Sequence, residues 1–290
     1  MYNLTDINTV KSILGRNGFH FSKALGQNFI INPNVCPEMA DECGVDEESG
    51  VIEIGPGIGV LTAQLCQRAK KVVCIELDKR LLPILDDTLS DFDNVKVINE
   101  DVLKCDLKKL IEEEFAGMDV YVCANLPYYI TSPVIMMLLE SNLPIKAITV
   151  MVQKEAAQRI CAPVGSRDSG AVTVAVDYYA DANKPFDVGK GSFMPAPKVD
   201  SSVIRMDIRD KKPIDLENEK LFFDVVRAAF GQRRKTAVNS LSSGLGVSKD
   251  IISQVLTECG FDLNVRAEVM TMDDFASITK ALDEKTKSKK

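Results

Sequence analysis

A short, mostly apolar segment that runs into a glycine-rich turn limits the possible folds more than any other stretch of this chain. Val51–Ile54 suits a buried strand, the turn Gly55-Pro56-Gly57-Ile58-Gly59 follows, and Val60–Ala69 has a helical pattern. Glycines let the backbone approach a ligand closely, and free N–H groups at a helix start bind polar ligand groups. The segment therefore predicts an α/β fold with a nucleotide-type site at a strand end.

An acidic residue at the end of the next predicted strand strengthens this interpretation. The strand Lys71–Ile75 leads into Glu76, 21 residues after Gly55. A carboxylate at this position accepts hydrogen bonds from the ribose hydroxyls of a nucleoside cofactor. The turn has the spacing G-x-G-x-G, whereas pyrophosphate-binding Rossmann units have G-x-G-x-x-G, which disfavours a dinucleotide oxidoreductase. The structural alternative for Glu76 is a cap of the predicted helix 79–89.

A polar motif ends the predicted buried strand Asp119–Ala124. The motif is Asn125-Leu126-Pro127-Tyr128, and Pro127 forces the chain to leave the sheet. The amide oxygen of Asn125 and the carbonyl of Leu126 can accept two hydrogen bonds from one exocyclic NH2 group. The ring of Tyr128 can stack on the base that carries that group. A strand-ending turn with Tyr128 packed in the core is the structural alternative.

Other segments give weaker signals. Asp101 follows the predicted strand Val95–Ile98 and could accept a hydrogen bond from an adenine amino group, or could cap the helix 107–115. Residues 1–34 form a leader, whose end 23–30 is expected to be a surface loop. Gly170–Ala180 is rich in β-branched residues and favours a strand by propensity.

Composition and charge exclude several classes of protein. No apolar run approaches the roughly 18 residues of a membrane span, and no secretory signal is visible, so we expect a cytoplasmic protein. Eight cysteines without a CxxC pair predict reduced thiols and no metal site. The single histidine, His20, excludes a histidine-based catalytic triad in the middle of the chain. We find no strong signal for a dimer and expect a monomer.

The distribution of charge is uneven. The net charge of −7 disfavours nucleic acid as a partner of the chain as a whole. Between residues 184 and 235, however, 12 lysines and arginines stand against 8 acids. We therefore expect a polyanion to meet the C-terminal half. The candidate RNA contacts are Lys184, Lys190, Lys198, Arg233, Arg234 and Lys235, and a solvated helix start is the alternative for the last three.

Taken together, the motifs resemble the ribosomal RNA adenine N6-dimethyltransferases over nearly the whole chain. The matching segments, in order, are Gly26–Ile30, Glu53–Gly57, Glu76, Asp101, Asn125–Tyr128, Val152–Glu155 and Phe193–Arg205. The segment Arg227–Thr236, with Asn239 after it, and the leucine at position 126 resemble the small-subunit (KsgA/RsmA) branch of the family. The Erm branch, which modifies large-subunit RNA, commonly has isoleucine at that position. Ile30 departs from the usual leucine, a conservative change in volume.

The resemblance implies a fold, a cofactor and roles for residues. It implies a Rossmann-like class I methyltransferase sheet, seven strands with the last antiparallel, over residues 1–208, and a small all-α RNA- or ribosome-binding domain over 209–290. It implies helix, not strand, over 170–180. S-adenosylmethionine would be the cofactor. The residues that would bind it are Asn28, Ile30, Gly55, Gly57, Glu76, Asp101 and Asn125, and the motif Asn125, Leu126, Pro127 and Tyr128 would be catalytic.

The activity that the resemblance implies is dimethylation of N6 in two adjacent adenines. The adenines would lie in the 3′-terminal hairpin loop of small-subunit (16S) rRNA within the 30S subunit, late in its biogenesis. Two alternatives remain: an Erm-type large-subunit (23S) rRNA methyltransferase, and a ribosome assembly factor without catalysis. An assembly factor that has lost catalysis would be expected to have changes at Gly55, Glu76 or Asn125, and all three residues are present.

Overall fold

The computed structural model describes residues 2–22 and 25–287 of the chain. The chain divides into two compact units. The first contains Met1–Ala157 and Asp181–Ile208, and the second contains Gln158–Ala180 and Arg209–Lys290. The predicted division into 1–208 and 209–290 differs in one segment, because residues 158–180 group with the C-terminal helices.

The strands alternate with helices along the first half of the chain. The strands are β1 (Phe29–Ile30), β2 (Gly50–Ile54), β3 (Lys71–Glu76), β4 (Val95–Asn99), β5 (Val120–Asn125), β6 (Ile145–Gln153), β7 (Ala180–Val188), β8 (Phe193–Met194) and β9 (Ser201–Ile208). The helices that precede β7 in the chain are α1 (Ile7–Arg16), α2 (Val35–Cys43), α3 (Val60–Cys66), α4 (Leu82–Thr88), α5 (Leu107–Glu114), α6 (Thr131–Glu140), α7 (Lys154–Ile160) and α8 (Ala171–Tyr179).

Seven of these strands, within the described residues, form one sheet in the order β4-β3-β2-β5-β6-β9-β7. The pairs β4–β3, β3–β2, β2–β5 and β5–β6 are parallel, and β9 is antiparallel to β6. This confirms the predicted α/β sheet with an antiparallel strand near its end. The strand order reverses direction between β2 and β5, and in such sheets ligands bind at the carboxyl ends of the strands at this switch point.

The leader contains regular structure that the sequence did not reveal. Helix α1 begins after Asp6, whose carboxylate accepts a hydrogen bond from the Thr9 N–H at 2.8 Å. Strand β1 pairs with β8 in a two-stranded antiparallel sheet. The prediction of a surface loop over 23–30 was therefore wrong at Phe29 and Ile30, which are buried. Lys23 and Ala24 lie outside the described residues.

In the second unit, α8 is followed by α9 (Glu219–Phe230), α10 (Ala237–Leu245), α11 (Lys249–Glu258) and α12 (Met272–Lys287). The strand predicted by propensity at 170–180 was wrong, and the helix implied by the resemblance is present. Tyr178 and Tyr179 pack on Phe222 and Phe223, with ring centroids 5.4 to 5.9 Å apart, and both hydroxyls donate to Glu219. This packing outweighs the weak preference of valines for strands, and it explains why α8 belongs to the helical unit.

Within residues 2–22 and 25–287, no helix is both long and apolar enough to cross a membrane.

Candidate active site

One pocket of the first unit lies at the carboxyl ends of β2, β3 and β5. It encloses about 1070 Å³ of empty space, a figure that includes its open mouth. Every residue that the sequence analysis assigned to the cofactor or to catalysis lines this pocket: Asn28, Ile30, Gly55, Gly57, Glu76, Asp101, Asn125, Leu126, Pro127 and Tyr128. Residues separated by up to 100 positions in the chain thus share one cavity.

The glycine turn forms part of the pocket wall. Gly55, Gly57 and Gly59 all have left-handed backbone angles, with φ of 71°, 61° and 89°, which disfavour a Cβ. A Cβ on Gly57 would lie 3.2 Å from the ring of Phe29. The absence of a side chain at this position therefore leaves room for Phe29 of the leader. A Cβ on Gly55 would meet no atom within 4 Å in the described part of the chain. The backbone at Gly55 therefore borders open space that a ligand could fill.

Glu76 is a buried carboxylate at the end of β3. It is 6 % exposed, and its Oε1 accepts the N–H of Asp78 at 2.7 Å. Burial raises its pKa to about 7, although the N–H groups of Asp78 and Gly57 partly oppose this shift. Helix α4 begins only at Leu82. Glu76 is therefore not the cap of that helix, and its carboxylate faces the pocket.

A second buried carboxylate, Glu53, lines the same pocket and was not assigned a role from the sequence. It is 1 % exposed and its Oε2 accepts a hydrogen bond from Cys74 Sγ at 3.5 Å. Burial raises its pKa to about 7, and the nearby charge of Glu76 adds to the shift. The buried Cys74 thiol has a raised pKa for the same reason, burial, and is uncharged. An acid inside an apolar strand, Val51–Ile54, was the signal that could have identified Glu53.

Asp101 follows β4 and is half-buried at the pocket. Its Oδ1 accepts the N–H of Leu103 at 3.1 Å, which closes a tight turn. The cap of α5 is Asp106, which accepts the N–H of Lys109 at 3.1 Å. The alternative interpretation of Asp101 as the cap of this helix was therefore wrong.

The Asn125 motif, at the end of β5, forms another part of the pocket wall. Asn125 Nδ2 donates to the carbonyl of Asn28 at 3.3 Å, so the side chain is oriented by the leader. Its Oδ1 and the Leu126 carbonyl have no hydrogen-bond donor among the residues that the structure describes. The N–H of Leu126 donates to Met151 O at 3.2 Å, which fixes the backbone at this point. Two oriented acceptors are thus free beside the pocket.

Tyr128 is half-buried, and its hydroxyl forms a hydrogen bond with Ser201 Oγ at 2.9 Å. Burial raises the pKa of its hydroxyl, so the phenol is neutral. The interpretation of this ring as a core residue was wrong, because it lines the pocket. The next residue, Tyr129, also lines it and is 54 % exposed.

The predicted RNA contacts are of two kinds. Lys190, Lys198, Arg234 and Lys235 are exposed. Lys184 forms an ion pair with Asp187 at 2.9 Å, and Asp187 also pairs with Lys154. The guanidinium of Arg233 donates to the carbonyls of Arg167 and Ser169 at 3.3 and 3.2 Å. Lys184 and Arg233 therefore also have contacts within their own units.

The fold and the pocket define a class of protein before any relative is considered. A mostly parallel sheet with an antiparallel β9, a glycine turn after β2 and an acid at the end of β3 are features of Rossmann-like methyltransferases that use S-adenosylmethionine. The model of the family "Ribosomal RNA adenine dimethylase" matches residues 18–284. The chain belongs to this family.

Three similar proteins illustrate the match. "Ribosomal RNA small subunit methyltransferase A" of Geobacillus thermodenitrificans is 51 % identical over 276 residues, which cover 94 % of each chain. A dimethyladenosine transferase from Plasmodium falciparum is 25 % identical with a TM-score of 0.70, over 89 % of this chain and 98 % of the other. The 23S rRNA methyltransferase ErmE is 24 % identical with a TM-score of 0.64, over 88 % and 100 %, and shares the fold. The small-subunit branch is therefore favoured over the Erm branch, and the chain is an enzyme that methylates rRNA adenine with S-adenosylmethionine.

Proposed function

We propose that the protein dimethylates N6 of two adjacent adenines in the 3′-terminal hairpin loop of small-subunit rRNA. The observation that carries this proposal is the single pocket that joins the glycine turn, Glu76 and Asp101 to the Asn125 motif. The family and the name of the Geobacillus relative support the choice of RNA. We further propose a 30S particle late in assembly as the substrate, and a monomeric, cytoplasmic enzyme.

The residues of the pocket fit S-adenosylmethionine. We assign the methionine part to the open space beside Gly55, next to the backbone of Gly57, with Asn28 and Ile30 closing over it. Glu76 would accept the ribose hydroxyls, because an ionised carboxylate can accept two donors at once. Asp101 would accept the adenine amino group. When bound, the cofactor supplies an electrophilic methyl group on a sulfonium cation.

The two free acceptors of the Asn125 motif account for recognition of the target base. Adenine N6 is a weak nucleophile because its lone pair is delocalised into the ring. Hydrogen bonds from N6 to Asn125 Oδ1 and the Leu126 carbonyl would direct that lone pair towards the methyl group. Transfer is then an in-line displacement that depends mainly on positioning. The methylated nitrogen loses its proton readily, so no histidine or other strong base is required.

Tyr128 would stack on the target base, which must leave the RNA stack to enter the pocket. Such a contact is worth about 1–3 kcal/mol in other proteins that bind single-stranded nucleic acid. The hydrogen bond to Ser201 restricts the ring and lowers the entropy lost on binding. Lys184, Lys190, Lys198 and the cluster Arg233–Lys235 would contact RNA phosphates. Because the net charge is −7, we expect weak binding to naked RNA and dependence on the ribosomal particle.

The experiment that tests this function uses labelled S-adenosylmethionine. Small subunits that lack the modification are incubated with the enzyme, with large subunits as the control, and the labelled nucleotides are mapped. We expect N6-dimethyladenine at two neighbouring positions near the 3′ end of the small-subunit RNA. Label confined to large-subunit RNA would contradict the proposal in favour of Erm-type activity. Cofactor binding without label on either subunit would point to an assembly factor.

A further inference from the structure

The carboxylate of Asp78, two residues after Glu76, connects two walls of the pocket. Asp78 is 7 % exposed, and its Oδ2 accepts a hydrogen bond from Gln27 Nε2 at 2.7 Å. Its own N–H donates to Glu76 Oε1 at 2.7 Å. Gln27 belongs to the leader loop, residues 25–30, all of which line the pocket. A single buried residue therefore links the leader loop directly to the acid at the end of β3.

The amide of Gln27 is held in one orientation. Its Oε1 accepts the N–H of Ser22 at 2.9 Å, which leaves Nε2 to donate to Asp78. The backbone pairing of the leader loop is short, because β1 contributes only Phe29 and Ile30. A loop with so little regular structure loses conformational entropy when it is ordered over a ligand. A side-chain contact that orders it beforehand reduces that cost on binding.

The other side of Asp78 is occupied by Arg80. Its Nε and Nη2 lie 2.8 and 2.6 Å from the two carboxylate oxygens. This pairing holds the pKa of Asp78 below its usual range, so the carboxylate is ionised when it accepts from Gln27. Arg80 also donates to the His20 carbonyl at 3.3 Å and stacks over Phe19, 5.1 Å from the ring centroid. Arg80 thus fixes the charge of Asp78 and contacts the leader as well.

We propose that Asp78 is a positioning residue that holds the leader loop closed over the cofactor. This inference rests on the proposed function, which places the cofactor in this pocket, and it adds a residue that acts through Gln27 and Glu76. Loss of the contact would leave the fold in place and would weaken retention of S-adenosylmethionine. The chemical step would proceed normally once the pocket is saturated.

The chain offers a matched control for this contact. Asp87 accepts hydrogen bonds from Arg16 at 2.9 Å and from the Tyr2 hydroxyl at 3.0 Å, so it also ties the leader to the body of the first unit. Asp87 does not line the pocket. Asp87→Asn therefore tests what a leader contact contributes to stability alone, whereas Asp78→Asn and Gln27→Ala test the closure of the pocket.

The experiment is titration calorimetry of the full chain with S-adenosylmethionine, without RNA, followed by steady-state methylation of small subunits. We expect the Kd of Asp78→Asn to rise about tenfold or more, in line with hydrogen bonds to charged groups. Gln27→Ala should weaken binding by about threefold to tenfold, because its partner is the same carboxylate. The double variant should bind no more weakly than Asp78→Asn, since the two residues share one contact. KM for the cofactor should rise, whereas kcat should stay within about twofold of the wild-type value. Asp87→Asn should bind the cofactor as the wild type does.

Wild-type affinity in both Asp78→Asn and Gln27→Ala would overturn the inference, and so would an equal loss in Asp87→Asn. A fall in kcat at saturating cofactor with an unchanged Kd would also contradict it. If Asp78→Asn does not fold, Gln27→Ala decides the question, because Gln27 is only half-buried. Failure of the wild type to bind S-adenosylmethionine would overturn the proposed function together with this inference, whereas unchanged variants beside a wild type that binds would overturn this inference alone.

Discussion

The pocket of the first unit and the cationic cluster of the second unit use charged residues in opposite ways. In the pocket, Glu53 and Glu76 are 1 % and 6 % exposed and have raised pKa values. In the second unit, Arg234 and Lys235 are exposed just before α10. Buried groups are oriented before the ligand arrives, whereas exposed cations adapt to a phosphate backbone. We propose that the chemistry takes place in the first unit and that this cluster of the second unit contributes to RNA docking, and the following variants test this division.

The largest expected effect is on the rate at the pocket. Asn125→Ala removes an acceptor for N6 and should lower kcat about 100-fold or more, as removal of one preorganised group does in other active sites. Affinity for small subunits should stay near the wild-type value. Asn94→Ala is the control, because Asn94 Nδ2 donates to the carbonyls of Cys66 and Ala69 and does not line the pocket. Single-turnover methylation is measured for both variants. A rate for Asn125→Ala within threefold of the wild type would contradict the catalytic role of Asn125.

The next effect is the dependence of cofactor binding on pH. Burial raises the pKa of Glu76 to about 7, and the ionised carboxylate is the better acceptor for ribose hydroxyls. Affinity for S-adenosylmethionine should therefore rise by about tenfold between pH 6 and pH 8. Glu76→Gln should bind more weakly and show little of this dependence. Calorimetry at pH 6 and pH 8 measures the Kd of both proteins for the cofactor. An equal pH dependence in the variant would show that another group titrates.

The raised pKa values also predict how stability depends on pH. Between the ordinary pKa of 4.5 and the folded value of about 7, the folded chain binds more protons at Glu53 than the unfolded chain does. The free energy of unfolding should therefore fall as the pH rises through this window and level off above it. Glu53→Gln stays neutral, so at pH 8 its free energy of unfolding should exceed that of the wild type by up to about 3 kcal/mol. Denaturant unfolding at pH 8 measures this difference. A less stable variant at pH 8 would show that the carboxylate is held charged.

The exposed cluster should affect affinity only. Arg234→Ala/Lys235→Ala should weaken binding to small subunits by about fivefold to tenfold and reduce its salt dependence, because two phosphate contacts are lost. The melting temperature should not change, since both side chains are exposed. Lys249→Ala/Lys280→Ala is the control with the same change in charge in the same unit. Equal losses of affinity in both double variants would show that the effect comes from net charge and not from contacts of Arg234 and Lys235.

The smallest effect concerns the hydroxyl of Tyr128. Tyr128→Phe keeps the stacking surface and loses only the hydrogen bond to Ser201, so kcat/KM should fall by about threefold or less. Tyr128→Ala removes the ring and should lower kcat/KM about tenfold or more. The ratio of the two variants separates stacking from orientation. Equal losses in both would show that the hydroxyl, not the ring, is the important group.

The sequence predicted those parts of the site that short motifs encode. The turn Gly55–Gly59 and the acid Glu76 lie on consecutive strands of the sheet, so their spacing alone brings them together. The motif at Asn125 could be recognised because Pro127 ends a strand. The bounds of most strands were also predictable, since buried parallel strands are short apolar runs.

Features that depend on distant partners could not be predicted in this way. The pairing of β1 with β8 joins residues more than 160 positions apart, and nothing in Phe29–Ile30 indicates its partner. Residues 171–179 form a helix because Tyr178 and Tyr179 pack on α9, a contact that local propensity does not contain. The link between Gln27 and Asp78 likewise appears only in three dimensions.

The measurement that tests the central claim most directly compares the two regions in one assay. Single-turnover methylation of small subunits is followed over a range of subunit concentrations for Asn125→Ala and for Arg234→Ala/Lys235→Ala. We predict that the first variant lowers the maximal rate with an unchanged half-saturating concentration. The second should raise the half-saturating concentration with an unchanged maximal rate. If both variants change the same parameter, the division between a catalytic pocket and a docking cluster is wrong.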